Sequence, residues 1–344
     1  MKSVFAVLIF CVILFLYLHI YFHMKTSNDL EVYEIDQPSK DKLEEVCDLR
    51  QPVLFEYANE RLMESCTIPA IRSAYGAFDV RLRNVKDTAD EVDATELYVP
   101  LTLHAVVETF RNDKESRYVS ENNSDFLEET ALIKTFKYND ELLRPPMVSK
   151  CMYDIICASP GTTTPLRYDL NYRNYYLVTQ GNVKMRLIAP HATKYLYPIA
   201  DYDNFEFRSP VNPWSVQAEY RADFDKIKTM DVELRAGQII YIPAYWWCSM
   251  QFPNNATTVC CFKYRTYMNT ISIIDKLCMW LLQQQNVKRD VIERKIINVT
   301  TKAVAPDLNL TDGAVGAGTV VGAVAGAGAG AGAVDVAGAN NSLS

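Results

Sequence analysis

Histidine is scarce in this chain. Only His19, His23, His104 and His191 occur in 344 residues, and two of them lie in or beside an apolar N-terminal run. The other two fall on a helical face and after Pro190. Outside the N-terminal run no His-rich metal cluster can be assembled, and no histidine base stands ready beside a nucleophile. None of the nine cysteines forms a C-x-x-C, which removes the zinc-ribbon and thioredoxin signatures. The 35 Lys and Arg are scattered among 42 Asp and Glu, giving a net charge of −7, so a nucleic-acid surface has little to build on. A signal-peptidase site is missing too. His23-Met24-Lys25 follows the apolar run where small residues would be needed.

That run, Val4–Phe22, holds nineteen almost wholly apolar residues. As a helix it spans about 28 Å, close to the hydrocarbon thickness of a bilayer. Tyr17 and Tyr21 suit an interfacial belt. The sequence therefore predicts an uncleaved transmembrane signal anchor over residues 1–25. Lys2 and the terminal amine nearly balance Lys25, so charge alone does not orient it. Asn-x-Ser/Thr sequons at Asn122, Asn255 and Asn298 are glycosylation candidates, and they favour a type II arrangement with the domain lumenal or extracellular. Residues 26–48 read as a linker and a short helix capped by Ser39. A β-rich domain over 49–300 follows. Residues 301–344 are rich in Ala and Gly, with Gly326-Ala-Gly-Ala-Gly-Ala-Gly332 at their centre. Glycine at that density costs too much backbone entropy to order, so a disordered tail is expected. In a lumenal domain, Cys47–Cys66 is a candidate disulfide.

Three stretches of the domain read as strands: Thr164–Asp169, Tyr175–Pro190 and Gly237–Cys248. All are β-branched or aromatic and bounded by Gly or Pro. Arg167 and Asp169, two apart, share a strand face. Further strands are expected at Arg50–Phe55, Phe78–Arg83, Arg117–Glu121, Cys151–Ala158 and Thr258–Arg265. Helices are expected at Glu56–Cys66, Leu101–Phe110 and Thr270–Gln285, the last with an apolar stripe. Asp201–Ala222 reads as a long loop.

The order Thr164-Pro-x-Arg-Tyr-Asp169, then Gly181 through Leu187 to Pro190, then Gly237-x-x-x-Tyr-Ile-Pro-x-Tyr-Trp-Trp-Cys248 resembles the JmjC and cupin-like oxygenases, closest to the type of the hypoxia-inducible factor asparaginyl hydroxylase. The resemblance covers roughly residues 50–275. It implies a mainly β fold, a double-stranded β-helix of the cupin or jelly-roll kind, with flanking helices added to the N-terminal membrane helix. It also implies Fe(II) held by two His and a carboxylate, with 2-oxoglutarate as cosubstrate. Arg167 and Cys248 stand at the two His positions and Asp169 at the carboxylate. Thr164, Val183, Lys184 and Trp247 stand at cosubstrate-pocket positions. The family's anchoring Lys falls at Val183. Lys184 is one residue on and belongs to the other strand face. The Thr270–Gln285 helix resembles C-terminal helices that make homodimers.

Arg167 cannot ligate a metal, because its guanidinium stays protonated and has no lone pair. At about 4 Å and an effective dielectric of about 20, it would repel a dication by on the order of 8 kcal/mol. Asp169 and Cys248 remain as metal-ligating candidates. Two readings stay open for the site. One is a structural Arg167–Asp169 ion pair without cofactor. The other is an adapted Fe(II) site or an anion pocket using Arg167. The corresponding functions are a lapsed, membrane-anchored binding or scaffolding protein with an unknown protein partner, an oxygenase with unusual ligands, or a binder of small carboxylates through Arg167 and Lys184.

Overall fold

The computed structural model describes residues 2–57, 59–86, 98–254 and 256–285. Strand alternation sorts the side chains into two cores. In β8 (Arg173–Gln180), Tyr176 and Val178 face one core while Tyr175 and Leu177 face the other. In β15 (Thr258–Thr266), Val259 and Cys261 join the first, and Cys260, Phe262 and Tyr264 join the second. Burial on both faces is why these strands read as nearly continuous apolar runs.

The strands form two sheets. The nine-stranded sheet runs in the order β1 (Tyr33–Ile35), β2 (Val53–Glu56), β13 (Gln238–Ile242), β8, β15, β6 (Val148–Ala158), β5 (Tyr118–Ser120), β3 (Asp79–Asn84), β4 (Val99–Thr102). The six-stranded sheet runs β10 (Ile199–Asp201), β11 (Glu206–Arg208), β7 (Arg167–Tyr168), β14 (Trp247–Gln251), β9 (Asn182–Ile188), β12 (Thr229–Arg235). The inner core lies between them, where Val183, Met185 and Leu187 of β9 meet Tyr176, Val178 and Ile240. The outer core lies between the larger sheet and helices Leu103–Asn112, Ser124–Glu129 and Ile133–Tyr138, filled by Val106, Phe110, Phe126 and Phe136. This is a double-stranded β-helix with flanking helices. Gly181 turns β8 into β9 at φ +78°, and a Cβ there would lie 2.5 Å from Thr257 Oγ1.

Local chemistry accounts for several boundaries. Ser39 caps the Lys40–Cys47 helix by accepting from the Lys42 amide, as its position suggests. The expected Leu101–Phe110 helix begins later. Thr102 ends β4 and caps the helix that follows. Glu56–Cys66 divides into the end of β2 and a Glu60–Ser65 helix capped by Asn59. The Thr270–Gln285 helix is broken at Ile273 into Tyr267–Ser272 and Ile274–Gln285. Asp201–Ala222 is not a bare loop, because β11 pairs antiparallel with β7. Within residues 26–48, β1 adds to the sheet parallel to β2, and Leu30 and Val32 meet the inner core. Cys47 and Cys66 are free thiols instead of a disulfide. Cys47 Sγ lies 3.6 Å from the Tyr175 hydroxyl, and Cys66 interacts with Cys260.

The N-terminal helix is Lys2–Met24, long and apolar enough to cross a membrane. Its residues 2–15 are uncovered. Leu16, His19 and Ile20 are half-buried and His23 is buried, all at helical spacing. It packs on the Tyr267–Ser272 helix. The Arg50 guanidinium stacks 4.9 Å from Phe22 and 4.6 Å from Tyr172. The chain divides into Met1–Lys288 and Arg289–Ser344. The Ala/Gly tail, Asn298 and also Asn255 lie outside the described residues.

Candidate functional site

Strands β7 and β14 pair so that Arg167 stands opposite Cys248. Just beyond β7, the Asp169 carbonyl accepts from the Tyr245 amide at 2.9 Å, tying it to the turn before Trp246. The Asp169 carboxylate accepts a hydrogen bond from Tyr176 Oη at 3.0 Å and an ion pair from Lys263 Nζ at 3.0 Å. Lys263 follows Cys261 by two on β15, so alternation turns it to the same inner face.

Arg167 has different partners. Its Nη2 lies 2.6 Å from Glu121 and its Nη1 lies 3.6 Å from Glu206. Arg83 contacts the same two carboxylates at 3.1 Å each. Tyr98 Oη donates to Glu121 at 3.3 Å. The expected Arg167–Asp169 ion pair is therefore corrected. The long guanidinium arm reaches the two buried carboxylates, and Asp169 takes its cation from Lys263. Two arginines and two glutamates form a neutral cluster in which Arg83 and Glu121 have no exposed side-chain surface.

The protonation states follow from this wiring. Burial would raise the Glu121 carboxyl, but Arg167 and Arg83 outweigh it and hold it near about 2. Burial would lower Arg167, but Glu121 and Glu206 push it above its ordinary value. Asp169 is held below the usual carboxylate range despite burial, mainly by Lys263 and next by the nearby Arg167 charge. Lys263 is raised despite burial by the Asp169 charge. Burial, then the Asp169 charge, pushes the Cys248 thiol up to about 11. Without a metal, Cys248 is thus a neutral thiol at physiological pH and no ready nucleophile.

The remaining expected site residues scatter. Thr164 links strands, its Oγ1 accepting from the Met250 amide at 2.9 Å and its carbonyl from Ser249 Oγ at 2.6 Å. Val183 is buried in the inner core. Lys184 is exposed on the opposite strand face, across from Glu233. Trp247 points away from the inner core, donating to Thr193 Oγ1 at 2.9 Å and meeting Tyr168 edge-on at 4.7 Å. Only Arg167, Asp169 and Cys248 come together. Among the described residues, no three His, Cys, Asp or Glu gather into a group able to hold a metal ion.

A cavity of about 590 Å³ opens at this end of the barrel. Asp154, Asp169, Lys263 and Arg265 line its polar wall, and Leu277 and Trp280 its apolar wall. Asn122 stands at its edge, exposed, with its amide donating to Tyr98 Oη at 2.6 Å. Arg83, Glu121, Glu206 and Lys263 were not singled out from sequence. A lone Lys in the apolar run Thr258–Arg265 was the available signal for the last of them.

The family model described as Cupin-like domain matches residues 39–265. The chain belongs to the cupin-like domain family. Part of this cupin-like domain protein is similar to HSPB1-associated protein 1 of Rattus norvegicus, 29% identical over 90 residues, 26% of this chain and 19% of that protein. The Mus musculus protein is 28% identical over 88 residues, 25% and 18% of the two chains. The Homo sapiens protein is 29% identical over 90 residues, 26% and 18%. The cupin-like chain thus spans less than a fifth of the length of these relatives.

Proposed function

We propose that this chain is a membrane-anchored cupin-like protein whose barrel mouth binds a partner or ligand instead of oxidising one. The carrying observation is the Lys263 ammonium 3.0 Å from Asp169. It supplies, as part of the fold, the counter-charge that a dication supplies in the oxygenases the sequence resembles. The residues present do not suit a 2-oxoglutarate iron centre. Arg167 has no lone pair, Lys263 already pairs with Asp169, and Val183 occupies the cosubstrate-anchor position. The Lys2–Met24 helix supports anchoring by its length and composition. The relatives are named for association with another protein, which favours a protein partner here. Elemental analysis of purified full-length chain, with a 2-oxoglutarate decarboxylation assay, tests the reading. Substoichiometric iron and no turnover above the protein-free control are expected. Bound iron near one per chain with turnover would overturn it in favour of an oxygenase.

A further inference from the structure

We propose that the Ile274–Gln285 helix is a lipid-facing surface, lying on the bilayer beside the N-terminal anchor. The inference rests on the anchoring reading above and extends it to a second contact.

The anchor by itself is short. Its uncovered residues 2–15 span about 21 Å as a helix, against roughly 30 Å of hydrocarbon. From Leu16 onward one face is covered by the domain, with Leu16, His19 and Ile20 half-buried and His23 buried. The element packed there is the Tyr267–Ser272 helix. The last turns of the apolar run and the Tyr267–Ser272 helix therefore occupy the same depth. A domain that covers the anchor within the thickness of the membrane must itself meet lipid.

The surface next to this contact is built for that. The Ile274–Gln285 helix begins two residues after Tyr267–Ser272 ends. One face of it is committed to the protein, with Ile273 beside its start meeting Leu170 and Phe207, and Leu277 and Trp280 lining the cavity. The other face carries Ile274, Cys278, Leu281 and Leu282 at i, i+4, i+7 and i+8, one helical stripe. Ile274, Leu281 and Leu282 are 58%, 52% and 57% exposed, and Tyr267 and Met279 add further exposed apolar surface. A run of large apolar side chains left this open marks a binding surface. Its continuity with the membrane-entering helix selects a lipid bilayer as the occupant over a second copy of the chain.

The unaltered chain carries its own probes. Among the described cysteines only Cys11, in the anchor, and Cys278, on the stripe, are exposed. Full-length chain is labelled at these thiols with a nitroxide and placed in phosphatidylcholine nanodiscs. Cys11→Ala and Cys278→Ala variants separate the two signals. Power saturation then compares collisions with lipid-soluble oxygen and with a water-soluble nickel chelate. A label at Tyr138→Cys, 78% exposed in the parent, is the aqueous reference. Both native labels are expected to favour oxygen relative to the reference. If Cys11 favours oxygen while Cys278 matches the reference, the stripe proposal fails and the anchor stands. If Cys11 also matches the reference, the anchoring reading fails with it. A Cys278 label shielded from both agents, with a dimer in chemical cross-linking, would assign the stripe to a second copy and overturn the proposal.

Discussion

Removing the Arg167 guanidinium should leave the Glu121 carboxylate short of positive charge in a place water does not reach. The cluster of Arg83, Arg167, Glu121 and Glu206 is neutral as built, and Arg167→Ala makes it carry one net negative charge. Glu121 has no exposed side-chain surface, and its other cation, Arg83, is shared with Glu206. Breaking a buried pair from one side costs about 3–5 kcal/mol. For a domain of this size that is a fall in Tm of roughly 6–20 °C. The pH dependence gives a sharper check. Glu121 titrates near about 2 when folded, against 4.5 ordinarily, so its stabilising contribution is present above about 4.5 and lost as pH falls toward 2. Without Arg167 the folded carboxyl rises, and protonation at mildly acidic pH relieves the stranded charge. The gap between parent and variant should therefore be widest near pH 7 and narrow toward pH 4. Adding Glu121→Gln to Arg167→Ala should recover part of the loss. Thermal unfolding by circular dichroism across this range tests it. A Tm change under about 2 °C, or a gap that widens on acidification, would refute the reasoning.

Three further outcomes follow from the same geometry. Arg167→His with Cys248→His should gain Fe(II) affinity only weakly while Lys263 holds Asp169, and adding Lys263→Met should raise it further; equal titration isotherms for the double and triple variants would count against Lys263 as the competing cation. Thiol labelling of the folded, detergent-solubilised chain at pH 8 should modify the exposed Cys278 and spare Cys248, whose thiol ionises only at about 11; peptide mapping that finds Cys248 modified as fast as Cys278 would contradict this. Carbonate extraction of cells should leave the full-length chain in the membrane pellet, and in a lumenal domain endoglycosidase should shift a glycan carried at the exposed Asn122; a soluble form starting near residue 25 would defeat the anchor.

How much of this was legible depended on distance along the chain. The strands near Phe78–Arg83, Cys151–Ala158 and Thr258–Arg265, the Ser39 cap and the barrel motif are local patterns that the sequence shows directly. Tyr175–Pro190 and Gly237–Cys248, each read as one strand, instead turn at Gly181 and after Ile242 into two, and β12 was not among the expected strands. Alternation also separated Val183 from Lys184 correctly, because a one-residue step reverses the face. The wiring of the site was not local. Asp169 takes its cation from a residue 94 positions away, on β15 of the facing sheet, and how one sheet packs on the other is something no periodicity encodes. Glu206 lay in a stretch whose aromatics and prolines suggested a loop, and only pairing of β11 with β7 brings it to Arg167. Proximity on one strand suggested that Arg167 and Asp169 should pair. Side-chain length decided otherwise, since a guanidinium can pass its neighbour to reach better-buried carboxylates.

The way the chain leaves its first helix determines how a bound partner could be met. Between Met24 and β1 the chain is fastened at each step. His23 is buried, the His191 amide donates to Asn28 at 3.1 Å, Gln51 donates to Asp29 at 3.0 Å, and β1 is hydrogen-bonded along β2. A helix seated in a bilayer and joined this way carries no slack stalk, so the barrel cannot swing through a wide arc in search of its ligand. Under the proposed membrane anchoring, encounter would become a lateral, two-dimensional problem. A partner in the same membrane would then meet the cavity at one height and one orientation, its effective concentration fixed by surface density instead of by tether length.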